Sequence, residues 1–197
     1  MRLRGAERVL AVSASASLLS AQQIDAAVEA GFADLAVDAA ALLDEHRWQS
    51  ALHELIGDTL RQLRSGRSVI LHAARGPHDG RIEAALAAVR AQGLEHEQAR
   101  HEAGRLLGRR LGLATQANLR EEPLERLLLS GGDASSQIVK TLAPTALLVA
   151  ARLTPGAPLG RLVSDQPWLD GLEVALKGDQ MGETQFFETA RRGQFAG

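Results

Sequence analysis

Short runs of consecutive apolar residues alternate along this chain with longer segments in which apolar residues recur every three or four positions. The short runs are typical of buried strands, and the longer segments are typical of helices with one apolar face. Predicted strands cover residues 9–12, 35–37, 69–71, 127–129, 146–150 and 172–176. Because helices separate these strands, the pattern predicts an α/β fold: a mostly parallel sheet with helices on both faces, in three αβα layers.

Helical patterns fill the segments between the strands. A first helix, capped by Ser20, ends at Gly31, and others are predicted at residues 48–63, 82–89, 95–117, 134–142 and 183–191. The longest carries a glycine at every fourth position, Gly104, Gly108 and Gly112, which predicts a face that packs closely on a neighbour. The Pro- and Gly-rich residues 154–158 are predicted to form a loop.

Composition narrows the class of protein. The chain has 197 residues, of which 45% are hydrophobic and 23% are charged, as in globular proteins with a packed core. With no repeat and no clear linker, residues 1–197 are predicted to be a single domain. The six histidines show no metal-ligand spacing, and the absence of cysteine excludes disulfides and thiolate metal sites, so no metal-ligating residues are predicted.

Charge and hydropathy limit the partners. Lys and Arg number 22 against 24 Asp and Glu, with a net charge of −2, which is unlike a nucleic-acid-binding domain. No apolar run reaches the roughly 18 residues needed to cross a bilayer. The N-terminus also lacks the apolar run of a signal peptide, so a cytoplasmic location is expected by default.

Small, polar or glycine-rich turns follow three of the predicted strands. These turns are Ser13-Ala14-Ser15-Ala16-Ser17, Ser130-Gly131-Gly132-Asp133 and Lys177-Gly178-Asp179-Gln180-Met181-Gly182. Each is expected to lead into a helix, and ligands of parallel sheets bind at the C-terminal ends of strands. Glycine lets the backbone approach a ligand, and a helix start offers unpaired N–H groups, so together they make an anion site.

Each turn alone also has a structural interpretation. The Gly-Gly turn and the serine run are compatible with ordinary loops, and Asp133 either caps the following helix or holds a ligand or Mg²⁺. Lys177 either holds a phosphate or is a solvated strand-end lysine, and Arg75, which follows another strand, is a further candidate for a phosphate contact. There is no P-loop motif, and no dinucleotide-binding glycine motif follows the first strand.

The order of four motifs along the chain makes the prediction of this site more specific. They are Val12-Ser13-Ala14-Ser15-Ala16-Ser17, Leu129-Ser130-Gly131-Gly132-Asp133-Ala134-Ser135, Pro155-Gly156-Ala157-Pro158-Leu159 and Leu176-Lys177-Gly178-Asp179-Gln180-Met181-Gly182. Their order and spacing resemble the C-terminal, nucleotide-binding domain of the four-carbon acid sugar kinase family, long known as a domain of unknown function. The matched segments cover most of the chain.

The resemblance implies the ATP-binding domain of a kinase that phosphorylates four-carbon acid sugars such as threonate, erythronate or 3-oxo-tetronate. It implies ATP as cofactor, with Mg²⁺, and ATP contacts at Ser15, Gly132 and residues 178–182. The family's N-terminal substrate-binding domain is expected to be absent from this chain. The acid sugar would then be held by such a domain or by a partner chain, and a homo-oligomer is compatible with this arrangement.

Three positions depart from the family motifs. Ala14 and Ala134 stand where the family has glycine and threonine, and Asp179 stands where it has glycine. Like charges about 4 Å apart repel by roughly 4 kcal/mol at an effective dielectric near 20, so Asp179 disfavours phosphate binding unless Mg²⁺ or a side-chain rotation intervenes. A drifted, non-catalytic module that binds a nucleotide or another phosphorylated ligand is therefore the alternative hypothesis.

Overall fold

The fold is built on one seven-stranded sheet in a computed structural model that describes residues 4–154 and 156–194. The strands are β1 (Leu10–Ser13), β2 (Ala33–Ala36), β3 (Val69–His72), β4 (Arg126–Ser130), β5 (Ala146–Thr154), β6 (Ala157–Val163) and β7 (Glu173–Lys177). The helices are α1 (Leu18–Glu29), α2 (Ala39–Leu43), α3 (Trp48–Arg64), α4 (Gly80–Arg90), α5 (His96–Glu121), α6 (Gly132–Leu142) and α7 (Phe186–Arg192). Among the described residues, no helix is long and apolar enough to cross a membrane.

The strand order in the sheet is β2-β3-β1-β4-β7-β6-β5. The first five strands in this order are parallel, and β6 runs antiparallel to both of its neighbours. The chain leaves β1 towards the β2 edge and leaves β4 towards the β5 edge. The connections therefore diverge between β1 and β4, and such a switch point is where open α/β sheets bind ligands.

Alternate residues of the central strands face two different cores. Leu127 and Leu129 of β4 pack in the core beneath α3, α5 and α6, whereas Leu128 packs in the core beneath α1 and α7. A third, smaller cluster joins α2 and α4 to the first half of α5. The predicted three-layer α/β fold with a mostly parallel sheet is thus confirmed.

The predicted loop at residues 154–158 is wrong at both ends. Thr154 ends β5, and Ala157 and Pro158 belong to β6, a strand that the hydrophobic pattern misses; Pro155 lies outside the described residues. The prediction failed because Pro-Gly followed by a second proline is typical of a loop, whereas here Gly156 and Pro158 lie in the turn and the second strand of a short antiparallel hairpin. Pro158 pairs with Arg152 next to an irregularity in the register, where a missing N–H costs little.

The first helix begins earlier than predicted. Ser17, rather than Ser20, is the N-cap of α1, and its Oγ accepts a hydrogen bond from the Ser20 backbone N–H at 3.1 Å. Serine is a good N-cap by residue type, and several closely spaced serines precede this helix. Only the backbone geometry therefore shows which of these serines is the cap. The short helix α2, which Asp38 caps, is not predicted either.

Two of the three regularly spaced glycines bring α5 and α6 into close contact. A Cβ added to Gly108 would lie 2.8 Å from Gln137 Cβ, and one added to Gly112 would lie 2.7 Å from Thr141 Cβ. No atom lies within 4 Å of the corresponding position at Gly104. The predicted close-packed face therefore exists at Gly108 and Gly112 and is directed at α6.

Gly112→Ala is expected to destabilise the fold by about 1–3 kcal/mol, because the added methyl forces two packed helices apart. The matched control is Gly104→Ala on the same helix, which should be neutral or stabilising by up to about 1 kcal/mol through helix propensity. Urea denaturation of the two variants measures both values. Equal stability of the two variants would contradict close packing at Gly112.

Candidate functional site

The backbone register brings three predicted site residues into one row. Ser13 at the end of β1 pairs with Ser130 of β4, and Ser130 pairs in turn with Lys177 of β7. All three are buried and end their strands at the switch point of the sheet. The three turns singled out by sequence therefore meet at one edge, although the turn after β7 reaches α7 only after an eight-residue loop, 178–185.

Gly131 joins the three turns. Its φ of 110° lies in the region that only glycine adopts readily. A Cβ at this position would lie 3.3 Å from both Ala14 C and Ser15 N, and its N–H donates to Lys177 O at 3.1 Å. Any larger residue here would push the β1 and β4 turns apart.

The N-terminus of α6 opens at the same point. The backbone N–H of Ser135 donates to Gly131 O at 2.9 Å, so the N–H groups of Gly132, Asp133 and Ala134 precede the first helical hydrogen bond. None of the three has an acceptor among the described residues. A Cβ at Gly132 would meet no atom within 4 Å, so space lies in front of these donors.

Asp133 does not cap α6. The N-cap is Gly131, which makes no side-chain capping bond, and Asp133 lies in the first turn with an exposed side chain. Its carboxylate makes no hydrogen bond or ion pair with the described part of the chain. Of the two interpretations of Asp133, the capping role is therefore excluded, and its carboxylate remains available to a cation.

Three buried serine hydroxyls around this helix start have no hydrogen-bond partner within the described residues. They belong to Ser13, Ser130 and Ser135, whose exposed fractions are 0%, 1% and 6%. A buried hydroxyl without a partner is costly, and such groups call for an explanation in terms of a ligand, an ordered water or strain. We call the following residues the cradle: Ser13, Ser130, Gly131, Gly132, Asp133, Ala134, Ser135 and Lys177.

Ser15 and Gly182 lie beside the cradle in supporting positions. Ser15 is buried, and its Oγ accepts a hydrogen bond from the Ser17 backbone N–H at 3.3 Å. Gly182 has a φ of 79°, and a Cβ there would lie 2.9 Å from the Phe186 ring. Both residues therefore stabilise the conformation of the turns in which they lie.

Lys177 carries a buried positive charge at the end of β7, with its Nζ 6.0 Å from the centre of the Phe186 ring. The residue is 2% exposed, and its Nζ donates to Gly178 O at 2.9 Å. Burial lowers the pKa of the lysine to about 8, although the negative charge of Asp179 opposes the shift. The interpretation of Lys177 as a solvated surface lysine is excluded by its burial.

Polar residues of α1 hold the loop that follows Lys177. The hydroxyls of Ser17 and Ser20 donate to Asp179 O at 2.6 and 3.2 Å. The Gln23 side chain donates to Met181 O at 3.1 Å and to Glu183 O at 2.9 Å. The strand-end pattern does not reveal these contacts; their only sequence signal is polar residues spaced by three on a helix that otherwise faces the core.

Arg75 is directed away from the cradle. Its guanidinium lies 2.8 Å from Asp34 Oδ2 and 3.6 Å from Asp25 Oδ1. Both ring nitrogens of His72 also have partners within the chain. Its Nε2 lies 2.8 Å from Asp34 Oδ1, and its Nδ1 accepts a hydrogen bond from the Arg81 guanidinium at 3.1 Å. Burial lowers the pKa of His72 against the opposing hydrogen bond to Asp34. The predicted phosphate contact of Arg75 is therefore not supported.

The predicted site residues thus meet at the switch point of an α/β domain, and comparisons with known proteins identify the family of that domain. The family model described as the nucleotide-binding C-terminal domain matches residues 10–187. The chain therefore belongs to that family. The resemblance seen in the sequence motifs is confirmed.

Curated relatives are sugar-acid kinases. The chain is 37% identical over 191 residues to a 3-oxo-isoapionate kinase of Paraburkholderia graminis, covering 97% of this chain and 40% of that protein. It is 30% identical over 197 residues to a 3-oxo-tetronate kinase of Pseudomonas fluorescens, covering 100% and 40%. A D-threonate kinase of Salmonella typhimurium is 26% identical over 175 residues, covering 88% and 39%. The chain thus spans about 40% of the length of these relatives.

Solved structures share the fold. A Bordetella bronchiseptica protein of unknown function, crystallised as a domain-swapped dimer with bound citrate, has a TM-score of 0.71 at 24% identity, with coverage of 96% of this chain and 41% of that one. A Haemophilus influenzae protein has a TM-score of 0.70 at 22% identity, with coverage of 98% and 42%. At this identity the likeness extends to the fold alone.

Lys177→Met is expected to stabilise the protein at pH 7 by about 1 kcal/mol, because a buried charge is removed. Below about pH 8 the Lys177 amine is protonated in both the folded and the unfolded protein. As the pH rises, it loses its proton near pH 8 in the folded protein but only near pH 10.5 in the unfolded protein. Stability of the natural chain therefore rises over this window, and the advantage of the variant should decline between pH 8 and 10.5. Thermal unfolding at pH 7 and pH 10 measures the difference.

The control for this experiment is Lys140→Met, which changes an exposed lysine of α6. It should alter stability by no more than about 0.5 kcal/mol at either pH. A Lys177→Met variant that is less stable than the natural chain at pH 7 would contradict the expectation, because it would show that the buried charge is well compensated.

Proposed function

We propose that this chain binds ATP through the cradle and forms the nucleotide-binding part of a kinase for four-carbon acid sugars. The observation that carries the proposal is the coincidence of three free backbone N–H groups with three buried, unpartnered hydroxyls at the start of α6. Neutral donors on a helix N-terminus are suited to an oligophosphate. The kinase activities of the curated relatives support the choice of ATP.

Each cradle residue has a chemical role in this proposal. The N–H groups of Gly132, Asp133 and Ala134 bind phosphate oxygens, and the hydroxyls of Ser13, Ser130 and Ser135 donate to the remaining oxygens. Phosphate would raise the pKa of Lys177 again, so that its ammonium compensates charge that develops during transfer. Phosphoryl transfer depends chiefly on such positioning and charge compensation.

Asp133 is the residue that fits Mg²⁺, because its carboxylate is exposed, adjoins the phosphate-binding N–H groups and has no partner among the described residues. Bound Mg²⁺ would supply neutralisation of phosphate charge. Carboxylate oxygens together with phosphate oxygens are the usual ligands of this ion.

The acceptor hydroxyl comes from outside this chain in our proposal. The chain matches about 40% of each kinase relative, and the remainder of such proteins is where we place the acid sugar, either in the same polypeptide or in a partner. A threonate, erythronate or 3-oxo-tetronate type of substrate follows from the relatives' activities. A kinase that uses ATP in this way is expected in the cytoplasm, and the domain-swapped Bordetella relative supports a homo-oligomer.

The second candidate is a nucleotide- or phosphate-binding module without catalysis. It is favoured by Ala134, which provides a buried methyl where the family motif has a hydroxyl, and by Asp179, whose charge is near enough to Lys177 to affect its pKa. Both changes reduce phosphate affinity or transition-state stabilisation without altering the fold. The first candidate predicts phosphoryl transfer and the second does not, whereas both predict that the chain binds a nucleotide or another phosphorylated ligand.

Mg-ATP binding is expected to be weakened by Gly132→Asp by about tenfold or more, which is 1.4 kcal/mol or more. The open space at Gly132 accommodates the side chain, and a carboxylate at a helix N-terminus stabilises the helix by about 0.3–1 kcal/mol. Calorimetric titration should therefore show lost affinity in a fully folded protein. Gly132→Asn, of equal size but neutral, is the control and should bind better than the aspartate variant.

Absence of binding by the natural chain at millimolar Mg-ATP would refute nucleotide binding. Equal affinities of the Asp and Asn variants would show that the bound group near Gly132 is not an anion.

Turnover is tested in a chimera in which this chain replaces the matching part of the Paraburkholderia graminis kinase. We expect ADP release that depends on an acid sugar, with 3-oxo-isoapionate, 3-oxo-tetronate, D-threonate and erythronate compared as acceptors. The same kinase rejoined at the same boundaries with its own segment is the control. ATP binding without ADP release, in a chimera whose control is active, would support the non-catalytic module instead.

A further inference from the structure

The turn between β3 and α4, residues 73–79, lies next to the cradle. His72, the last residue of β3, pairs with Ser13 in the sheet, and the Ala73 backbone N–H donates to Ser13 O at 2.9 Å. The turn also lines a cleft of about 580 Å³, together with Ala14 of the β1 turn. The position of this turn therefore affects the shape of the space beside the cradle.

The side chain of His72 ties the turn to two neighbouring elements. The residue is 3% exposed. Its Nε2 lies 2.8 Å from Asp34 Oδ1 of β2, and its Nδ1 lies 3.1 Å from a terminal nitrogen of Arg81 on α4. The other terminal nitrogen of Arg81 donates to His72 O at 2.9 Å. Arg81 therefore holds both the ring and the backbone of His72.

These partners fix the protonation state of the His72 ring. A guanidinium has N–H donors and no acceptor, so Nδ1 must accept from Arg81 and carries no proton. The single proton of the neutral ring is then on Nε2, where it is donated to the Asp34 carboxylate. A second proton, on Nδ1, would face an N–H group of Arg81 and break that hydrogen bond.

Charged side chains face the ring and its partners from four parts of the fold: Asp34 of β2, Arg75 of the turn, Asp79 and Arg81 at the start of α4, and Asp25 of α1. Burial lowers the pKa of His72. The hydrogen bond to Asp34 opposes this shift, and the charges of Arg81 and Arg75 add to it. A second proton on the ring is thus disfavoured by its surroundings as well as by the hydrogen-bond geometry.

We propose that Asp34, His72 and Arg81 form a pH-sensitive clasp, which holds the turn 73–79 beside the cradle while His72 is neutral and opens when His72 is protonated. Arg81 keeps its ion pair with Asp79, at 2.6 Å, in both states. What opening releases is the attachment of the start of α4 to the His72 ring. The clasp is independent of the proposed function, because all of its contacts lie within the chain.

The first test is NMR spectroscopy of the ¹⁵N-labelled 197-residue chain at pH 8. The ring ¹⁵N shifts of His72 should show a proton on Nε2 and none on Nδ1. His72→Gln identifies these signals among those of the six histidines. A proton on Nδ1 at this pH would overturn the clasp.

The second test follows the same chain as the pH is lowered to 5. His72 should titrate below its ordinary pKa of 6.5, and the amide signals of Ala14, Ala73 and Ala74 should shift at the same midpoint. Protonation of His72 that leaves these amide signals unmoved would overturn the proposal.

Arg81→Met removes the donor to Nδ1, so the pKa of His72 should rise towards 6.5 and the accompanying amide shifts should become much smaller. Arg90→Met, at an exposed position in the last turn of α4, is the control and should titrate like the natural chain. An unchanged His72 pKa in Arg81→Met would contradict the clasp. The two measurements on the natural chain decide the proposal even if Arg81→Met does not fold.

Discussion

The orientation of α6 at the end of β4 depends on its close packing against α5. Gly108 and Gly112 remove the side chains that would otherwise separate the two helices, and the atoms opposite them belong to Ala134, Gln137 and Thr141. Ala134 is in the first turn of α6, so this contact fixes the part of the helix that carries the free N–H groups. The position of these N–H groups therefore depends on this packing.

The other side of the site is fixed by Gly131, which spaces the turns of β1 and β4 and bonds to Lys177 O. The result is a set of three buried hydroxyls that have no partner among the described residues, close to a lysine whose burial lowers its pKa. Unsatisfied buried groups cost stability. Such local cost is characteristic of sites built for a ligand.

The parallel part of the sheet could be predicted from sequence because buried strands give uninterrupted apolar runs, as at Leu127, Leu128 and Leu129. The strand-end turns could be predicted because glycine and serine there interrupt the pattern. The β6 strand could not, because Pro155, Gly156 and Pro158 carry the chemistry of a loop and only pairing with β5 and β7 makes the segment a strand.

Side-chain roles within the site depended on contacts distant in sequence. The burial of Lys177, the role of Gln23 in holding the loop 178–185, and the diversion of Arg75 to Asp34 all depend on residues that are remote along the chain. Periodicity carries no information about such contacts. The family resemblance indicated which turns belong together, and the register Ser13, Ser130, Lys177 explains why they do.

The most direct test of phosphate binding at the cradle is a crystal structure of this chain with Mg²⁺ and a non-hydrolysable ATP analogue. We expect phosphate oxygens within hydrogen-bond distance of the backbone N–H groups of Gly132, Asp133 and Ala134, with the hydroxyls of Ser13 and Ser130 turned towards them. Phosphates bound elsewhere, with these N–H groups still free, would contradict the assignment of the cradle.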